Sequence, residues 1–258
     1  MNVLQNLTTF YNQLPPESTY RNVCQGILEH MGEAAEGTIY DLAELTNSSR
    51  TTVWRMVQKM GYKSFSDFHH ELKRAVRQYD YYNRILPQEE CVSTEIIKES
   101  LLRQVMKAYE SMRDQTDTKA LEQIAFEMSQ ADKVHFYTPI HSSSICSLQQ
   151  NLAMSGKETD YFCLMPEMLE GTKALTDKSI VFVNTIDHVE TMDLSEVFDN
   201  IKEHGAKILG ITNHKSKYKE YIDCEILSES ADGVAQGMIM FDTYFYMLSE
   251  IYRMKYIG

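Results

Sequence analysis

The sequence lacks the cysteine patterns that build disulfide frameworks or structural zinc sites. Its five cysteines are odd in number, scattered, and never form a C-x-x-C pair; they are Cys24, Cys91, Cys146, Cys163 and Cys224. This usage favours reduced thiols in the cytoplasm. We therefore expect a cytoplasmic protein with no metal and no cofactor.

The sequence also lacks a secretion signal and an uninterrupted apolar run long enough to cross a membrane. Its N-terminus, MNVLQNLTTFYNQL, has no basic region ahead of an apolar core. Asp242 and Glu250 interrupt the most apolar stretch, GVAQGMIMFDTYFYMLSEIY, which falls short of a transmembrane helix. The part from 238 to 254 is apolar around most of its circumference. That pattern predicts burial against the rest of the domain or, alternatively, an interface between two copies.

An overall excess of positive charge is missing too, because 25 basic residues face 37 acidic ones and the net charge is −12. The distribution is uneven, however. Between 50 and 77, seven basic residues stand against only Asp67 and Glu71. Docking on nucleic acid uses a local basic patch of this kind, although such clusters are more often ordinary solvated faces.

Residues 1–77 have the pattern of short helices separated by tight breaks. Pro15 and Pro16 end the first helix, and the second is predicted to close at Gly32. Thr38, with Asp41 three residues later, predicts a capping box at the start of another helix. We predict an all-α domain over 1–77 and a linker over 78–94.

From about residue 131, strands alternate with helices. The strand candidates are 133–139, 159–165, 178–185, 206–213 and 224–230. Gly156 and Gly205 close two of the intervening helices and suit left-handed C-caps. Apolar strands that alternate with helices predict a parallel sheet covered on both faces. The predicted fold class is therefore α/β with an all-α N-terminal domain, and the second domain is assigned to 95–258.

The helix predicted at SRTTVWRMVQKM has one apolar and one polar face. Val53, Met56, Val57 and Met60 cluster on one side, and Ser49 occupies the N-cap position. The other side offers hydroxyls, an amide and basic groups, which are the groups that read base edges and hold phosphates in a major groove. The residues predicted to bind DNA are Ser49, Arg50, Thr51, Thr52, Trp54, Arg55, Gln58, Lys59 and Lys63. A short helix and a turn precede this one, as in a helix-turn-helix.

The same region resembles the DNA-binding part of the RpiR family of bacterial transcription regulators. The resemblance is carried by three runs: Ile39, Leu42 and Ala43; Ser49, Thr52, Val53 and Arg55; and Met60, Gly61, Tyr62, Lys63, Phe65, Asp67 and Phe68. Met60 stands where the family has leucine, which is a conservative exchange. The resemblance implies a helix-turn-helix bundle followed by a five-stranded, parallel-sheet αβα sandwich of the sugar isomerase (SIS) type, a domain that commonly binds phosphosugars.

Two loops of the predicted α/β domain correspond to the ligand-holding loops of SIS domains. The expected effector-binding residues are His141, Ser142, Ser143, Ser144, Asn184, Thr185 and His188. Both loops depart from the family pattern: Thr138 and Ile140 replace glycines in the first, and Asp187 adds a negative charge to the second. A carboxylate disfavours phosphate by like-charge repulsion. A retained pocket, standard phosphosugar binding and a domain that only dimerises all remain open.

These features predict a transcriptional regulator of bacterial sugar metabolism and not an enzyme. Its expected partners are a double-stranded DNA operator, a phosphosugar or other small-molecule effector, and further copies of itself in a homodimer or tetramer. The alternative is a phosphosugar isomerase with a helical appendage. Such an enzyme needs an acid–base group, for which Glu167, Glu170, Asp187 and His188 are the candidates.

Overall fold

The computed structural model describes residues 3–77, 85–138, 141–184, 193–212, 217–228 and 234–258. The helices are α1 (Val3–Gln13), α2 (Thr19–Glu29), α3 (Met31–Glu36), α4 (Ile39–Leu45), α5 (Arg50–Lys59), α6 (Phe65–Arg77), α7 (Thr94–Gln115), α8 (Thr118–Gln130), α9 (Ser143–Met154), α10 (Met165–Thr172), α11 (Ser195–Glu203) and α12 (Val234–Tyr256). The strands are β1 (Lys133–Tyr137), β2 (Glu158–Phe162), β3 (Ser179–Asn184), β4 (Lys207–Thr212) and β5 (Cys224–Ser228).

The N-terminal part consists of helices that start at the predicted caps. Thr38 and Asp41 form the capping box of α4, since each side chain accepts a hydrogen bond from the other residue's backbone N–H. Ser49 caps α5 by accepting from the backbone N–H of Thr52 at 3.1 Å. Such caps satisfy N–H groups that a helix start leaves unpaired.

The prediction that the second helix closes at Gly32 is wrong. α2 ends at Glu29, and Gly32 lies inside the next helix, α3. The chain turns at His30, whose N–H donates to Gly26 O of α2 and whose carbonyl accepts from Ala34 N of α3. Because His30 makes the break with a negative φ of −123°, no left-handed glycine is needed there.

The C-terminal part contains the predicted five-stranded parallel sheet, in the order β2-β1-β3-β4-β5. Side chains alternate between its two faces. Val134 and Phe136 of β1 pack with α8, α9 and α12, whereas Tyr137 joins the core under α10 and α11. The sheet is therefore covered on both faces, and the α/β fold class is confirmed. Gly156 and Gly205 have the left-handed φ values of 82° and 71° expected of C-caps.

The apolar C-terminal segment is mostly core. In α12, Phe245, Leu248 and Tyr252 are fully buried within this chain's own α/β domain. The helix therefore fills the core, which was the first of its two predicted roles. None of the helices in the described ranges is long and apolar enough to cross a membrane.

The two parts of the chain pack against each other at the segment that follows β2. Leu164 is only 3% exposed and belongs to the hydrophobic core of the N-terminal helices. A Cβ atom added to Gly61, just after α5, would lie 3.0 Å from Pro166 Cδ. Gln13 Nε2 donates to Glu167 Oε2 at 3.4 Å. The division into 1–77, a 78–94 linker and 95–258 stays a prediction, and residues 78–84 lie outside the described ranges.

Candidate functional site

Helices α4 and α5 are joined by a four-residue turn that holds them in a helix-turn-helix arrangement. Thr46 Oγ1 donates to Leu42 O at 2.7 Å and closes the end of α4. Asn47 adopts a left-handed φ of 46°, a conformation that asparagine tolerates better than most residues. Ser48 N then donates to Ala43 O at 2.8 Å. These bonds fix the direction in which α5 leaves the turn.

Helix α5 has the two faces that its sequence predicts. Val53, Met56 and Val57 are fully buried in the N-terminal core, as is the C-cap residue Met60. The predicted DNA-binding residues lie on the solvent side; all are exposed except Thr52, which is half-buried. We call this set the recognition face: Ser49, Arg50, Thr51, Thr52, Trp54, Arg55, Gln58, Lys59 and Lys63.

The positive charge of the recognition face is available to a ligand. Its four basic side chains form no ion pair with a carboxylate in the described parts of the chain. Elsewhere in the basic cluster, Lys73 pairs with Glu36 at 3.3 Å and Arg74 with Glu71 at 3.6 Å. The Arg50 guanidinium lies 4.3 Å from the centre of the Tyr40 ring, which holds it at the start of α5. The net positive charge is thus concentrated on the face that also carries Trp54 and Gln58.

The first loop predicted to bind an effector, which contains His141 to Ser144, lies at the C-terminal end of β1, where α9 begins. Ser142 is the N-cap of α9, and its Oγ accepts from Ser144 N at 3.2 Å. Its own backbone N–H donates to the Tyr161 hydroxyl at 3.0 Å. The exposed His141 lies with its ring centre 5.1 Å from that of Tyr161. The fold therefore brings His141 and the three serines together at one edge of the sheet, as predicted.

The serine hydroxyls of this loop are bound to α12. Ser142 Oγ donates to Asp242 Oδ1 at 2.5 Å, and Ser144 Oγ donates to the same oxygen at 2.7 Å. Ser143 Oγ lies 2.7 Å from the Tyr246 hydroxyl. Sequence reasoning missed Asp242 as a site residue because it was interpreted only as a break in an apolar stretch. Its position within the most apolar part of that helix was the available clue.

The second loop predicted to bind an effector follows β3, which lies next to β1 in the sheet. Asn184 is the half-buried last residue of β3, one position beyond Val183, the register partner of Tyr137. Its position places Asn184 at the same edge as the serines. Thr185, His188 and Asp187 lie outside the described residues.

The acid–base candidates that the structure describes have local partners. Glu167 Oε2 accepts from Leu164 N at 3.2 Å as part of the start of α10. Glu170 is exposed and pairs with Lys173 at 2.5 Å. The other two candidates, Asp187 and His188, fall in the range that is not described.

One group of side chains has the composition of a metal site. Ligand atoms of His135, Glu158 and Asp160 lie within 4.8 Å of one another on β1 and β2. Burial lowers the pKa of His135 despite the two carboxylates, which keeps the imidazole neutral. However, the Lys133 ammonium already contacts Glu158 at 2.5 Å. That ammonium neutralises the negative charge that the exposed Glu158 carboxylate would otherwise offer to a metal.

Comparison with known proteins identifies the N-terminal part. Residues 1–79 match the helix-turn-helix domain of the rpiR family. A Bacillus subtilis protein described as the uncharacterized HTH-type transcriptional regulator YbbH is 27% identical over 205 residues, which are 78% of this chain and 70% of that protein.

Solved structures share the fold of the whole chain and of its C-terminal part. The Vibrio vulnificus NanR protein, solved with ManNAc-6P, covers 99% of this chain and 93% of its own, with 19% identity and a TM-score of 0.51. The sugar isomerase domain of an RpiR transcription factor from Sphaerobacter thermophilus covers 62% of this chain and 90% of its own. It shares 13% identity with a TM-score of 0.51.

The fold and these likenesses define a protein in which a helix-turn-helix domain is followed by an α/β domain that shares the fold of a sugar isomerase domain. Residues 1–79 are a helix-turn-helix domain of the rpiR family.

Proposed function

We propose that this regulator binds a double-stranded DNA operator with the recognition face and adjusts that binding to a small molecule held at the loops after β1 and β3. The regulator acts on genes of sugar metabolism, as the family resemblance implies. It works by binding and not by catalysis, since the described acid–base candidates are engaged in local structure.

The recognition face carries the DNA-binding half of the proposal. Its exposed Arg55 and Gln58 are of the types that make paired hydrogen bonds to guanine and adenine in the major groove. Lys59 and Lys63, together with the hydroxyls at the start of α5, suit phosphate contacts on either side. No acid stands among the nine residues of this face, so nothing on it repels the DNA backbone.

Substitution of Arg55 tests this assignment. The probe is a DNA fragment selected by the wild-type protein from a random pool, and binding is followed by fluorescence anisotropy at fixed salt. We expect Arg55→Ala to weaken binding about 5- to 150-fold, the equivalent of one lost base contact.

Lys178→Ala is the matched control, since it removes an exposed basic side chain from the turn before β3. Its affinity should stay within about twofold of the wild type, because non-contacting exposed charges act only through screened fields. Equal affinities of Arg55→Ala and the wild type would refute the assignment of α5 as the reading helix.

The supporting observation for a dimer is an apolar stripe on α7. Leu102, Val105, Met106 and Tyr109 follow helical spacing and are 52%, 45%, 64% and 65% exposed. Exposed apolar patches of this kind mark interaction surfaces, and two-fold DNA half-sites call for a two-fold protein. We infer that a second copy of the chain packs on this stripe, whereas α12 packs into the core of its own α/β domain. The molar mass in solution tests the inference.

The small-molecule half of the proposal is supported by the position of the serine loop. In open parallel sheets, ligands bind beyond the C-terminal ends of the strands, beside helix N-termini. Ser142, Ser143 and Ser144 at the start of α9 and Asn184 at the end of β3 lie at that edge, which supports the proposal.

A further inference from the structure

The start of α9 is built like an anion site. Ser142 and Ser144 are buried, and their hydroxyls converge at the N-terminal end of a twelve-residue helix that directly follows a parallel strand. The first N–H groups of a helix and its dipole favour negative charge at this point. A phosphate that bound here would use these hydroxyls and N–H groups.

A carboxylate from the chain itself already binds the two hydroxyls. Asp242 Oδ1 accepts hydrogen bonds from both hydroxyls, at 2.5 Å and 2.7 Å. Asp242 reaches the serines from α12, a helix fixed in the core through Phe241 and Phe245 on either side of it in sequence. Asn151 of α9 reinforces the contact between the helices, because its amide donates to Ser249 Oγ at 2.9 Å. The carboxylate is therefore held in place by the packing of α9 against α12.

A second anion at this position is disfavoured for two reasons. Each hydroxyl has a single hydrogen to donate, and the two hydroxyls already bond to Asp242 Oδ1 and to each other, so neither hydrogen is left for a phosphate. A phosphate within contact distance would also meet the like charge of the carboxylate in a partly buried setting, where repulsion is weakly screened. By contrast, a ligand with hydroxyl or ammonium donors would find an acceptor with negative charge.

We propose that Asp242 is the resident anion of the effector site, so that the site rejects phosphate and takes an unphosphorylated sugar or an amino sugar. This inference rests on the proposed function for the location of the effector. It also names an effector class that differs from the ManNAc-6P bound by the Vibrio vulnificus NanR protein.

The test compares the wild-type protein with Asp242→Ala, with inorganic phosphate as the probe in isothermal titration calorimetry at pH 7. The substitution removes the charge and frees both hydroxyls, and alanine is well tolerated inside a helix. We expect the variant to bind phosphate at least tenfold more tightly than the wild type. Asp242→Asn, which keeps the volume and removes only the charge, replaces the alanine variant if that one does not fold.

Glu250→Gln is the control for net charge, because it removes an exposed carboxylate from the same helix; it should bind phosphate like the wild type. Equal phosphate affinities of the wild type and the Asp242 variant, including no binding by either, would overturn the inference. Operator binding by the ligand-free proteins is measured in parallel. If the ligand-free wild type did not bind operator DNA, that result would count against the proposed function. If operator binding were intact and only the phosphate comparison failed, the role of Asp242 alone would be refuted.

Discussion

Replacing Leu164 by alanine tests the packing between the two parts of the chain. Leu164 follows β2, but its side chain is buried in the core of the N-terminal helices. A Leu→Ala change at a buried position typically costs about 2–5 kcal/mol, through lost transfer free energy and the cavity that remains. At an exposed position the same change costs roughly 0.5 kcal/mol or less. The expected loss of about 3 kcal/mol is large beside the total stability of about 5–15 kcal/mol for a typical domain.

Trp54 makes this prediction easy to measure. It is the only tryptophan of the chain and lies on α5, so its fluorescence reports on the N-terminal helices. With a urea dependence of about 1.5 kcal/mol per molar, a loss of about 3 kcal/mol lowers the midpoint of the tryptophan transition by about 2 M. Circular dichroism follows the remainder of the chain in the same titration.

Met168→Ala is the matched control. Met168 lies one helical turn further along α10 and is equally buried, but it belongs to the core under the sheet. We expect it to lower the transition seen by circular dichroism and to shift the Trp54 midpoint much less than Leu164→Ala does. If Leu164→Ala left the Trp54 midpoint where it is in the wild type, the packing of Leu164 into the N-terminal core would be refuted.

Two further predictions concern the dimer and a buried histidine. Met106→Glu places a charge in the apolar stripe of α7 and should convert the proposed dimer to monomer in light scattering. Ile96→Glu is the control and should stay dimeric, because Ile96 lies on the same helix about 120° away from the centre of the stripe. Monomers in both variants, or in neither, would contradict the inferred interface. Burial lowers the pKa of His135 in the folded chain. Between that lowered pKa and the unfolded value of about 6.5, the unfolded chain binds a proton that the folded chain does not. The free energy of unfolding therefore falls as the pH falls through this window. His135→Gln should lose less stability than the wild type between pH 7 and pH 5 in urea titrations, and an unchanged pH dependence would show that His135 does not contribute.

The sequence predicted those features that depend on neighbouring residues. The capping box at Thr38 and the cap at Ser49 follow from side chains that reach only three residues along the chain. The buried face of α5 follows from helical spacing, and the five strands follow from apolar runs between helices. The one misplaced helix end, at Gly32, shows the limit of a local rule, because His30 made the break without a positive φ.

The sequence could not predict contacts between distant segments. Asp242 lies about one hundred residues from the serines it binds, and no spacing rule connects an acid on α12 with the start of α9. Leu164 has the pattern of an ordinary core residue after a strand, and only the folded chain shows which core it enters. Similarly, helical spacing places Leu102, Val105 and Met106 on one side of α7, but spacing alone does not show that this apolar surface stays exposed.

The position of β2 in the sheet affects how the serine loop and the N-terminal helices are connected. β2 is one of the two edge strands of the sheet, and among the described residues it pairs with β1 alone. Moving it therefore breaks one ladder of hydrogen bonds, whereas moving β1 breaks two. Tyr161 near its end holds the serine loop through Ser142 N, and three residues later Leu164 is embedded in the helices that carry α5. An edge strand held by one ladder of hydrogen bonds thus contacts the serine loop and the N-terminal helices within three residues of each other, so a shift of β2 would move both contacts together.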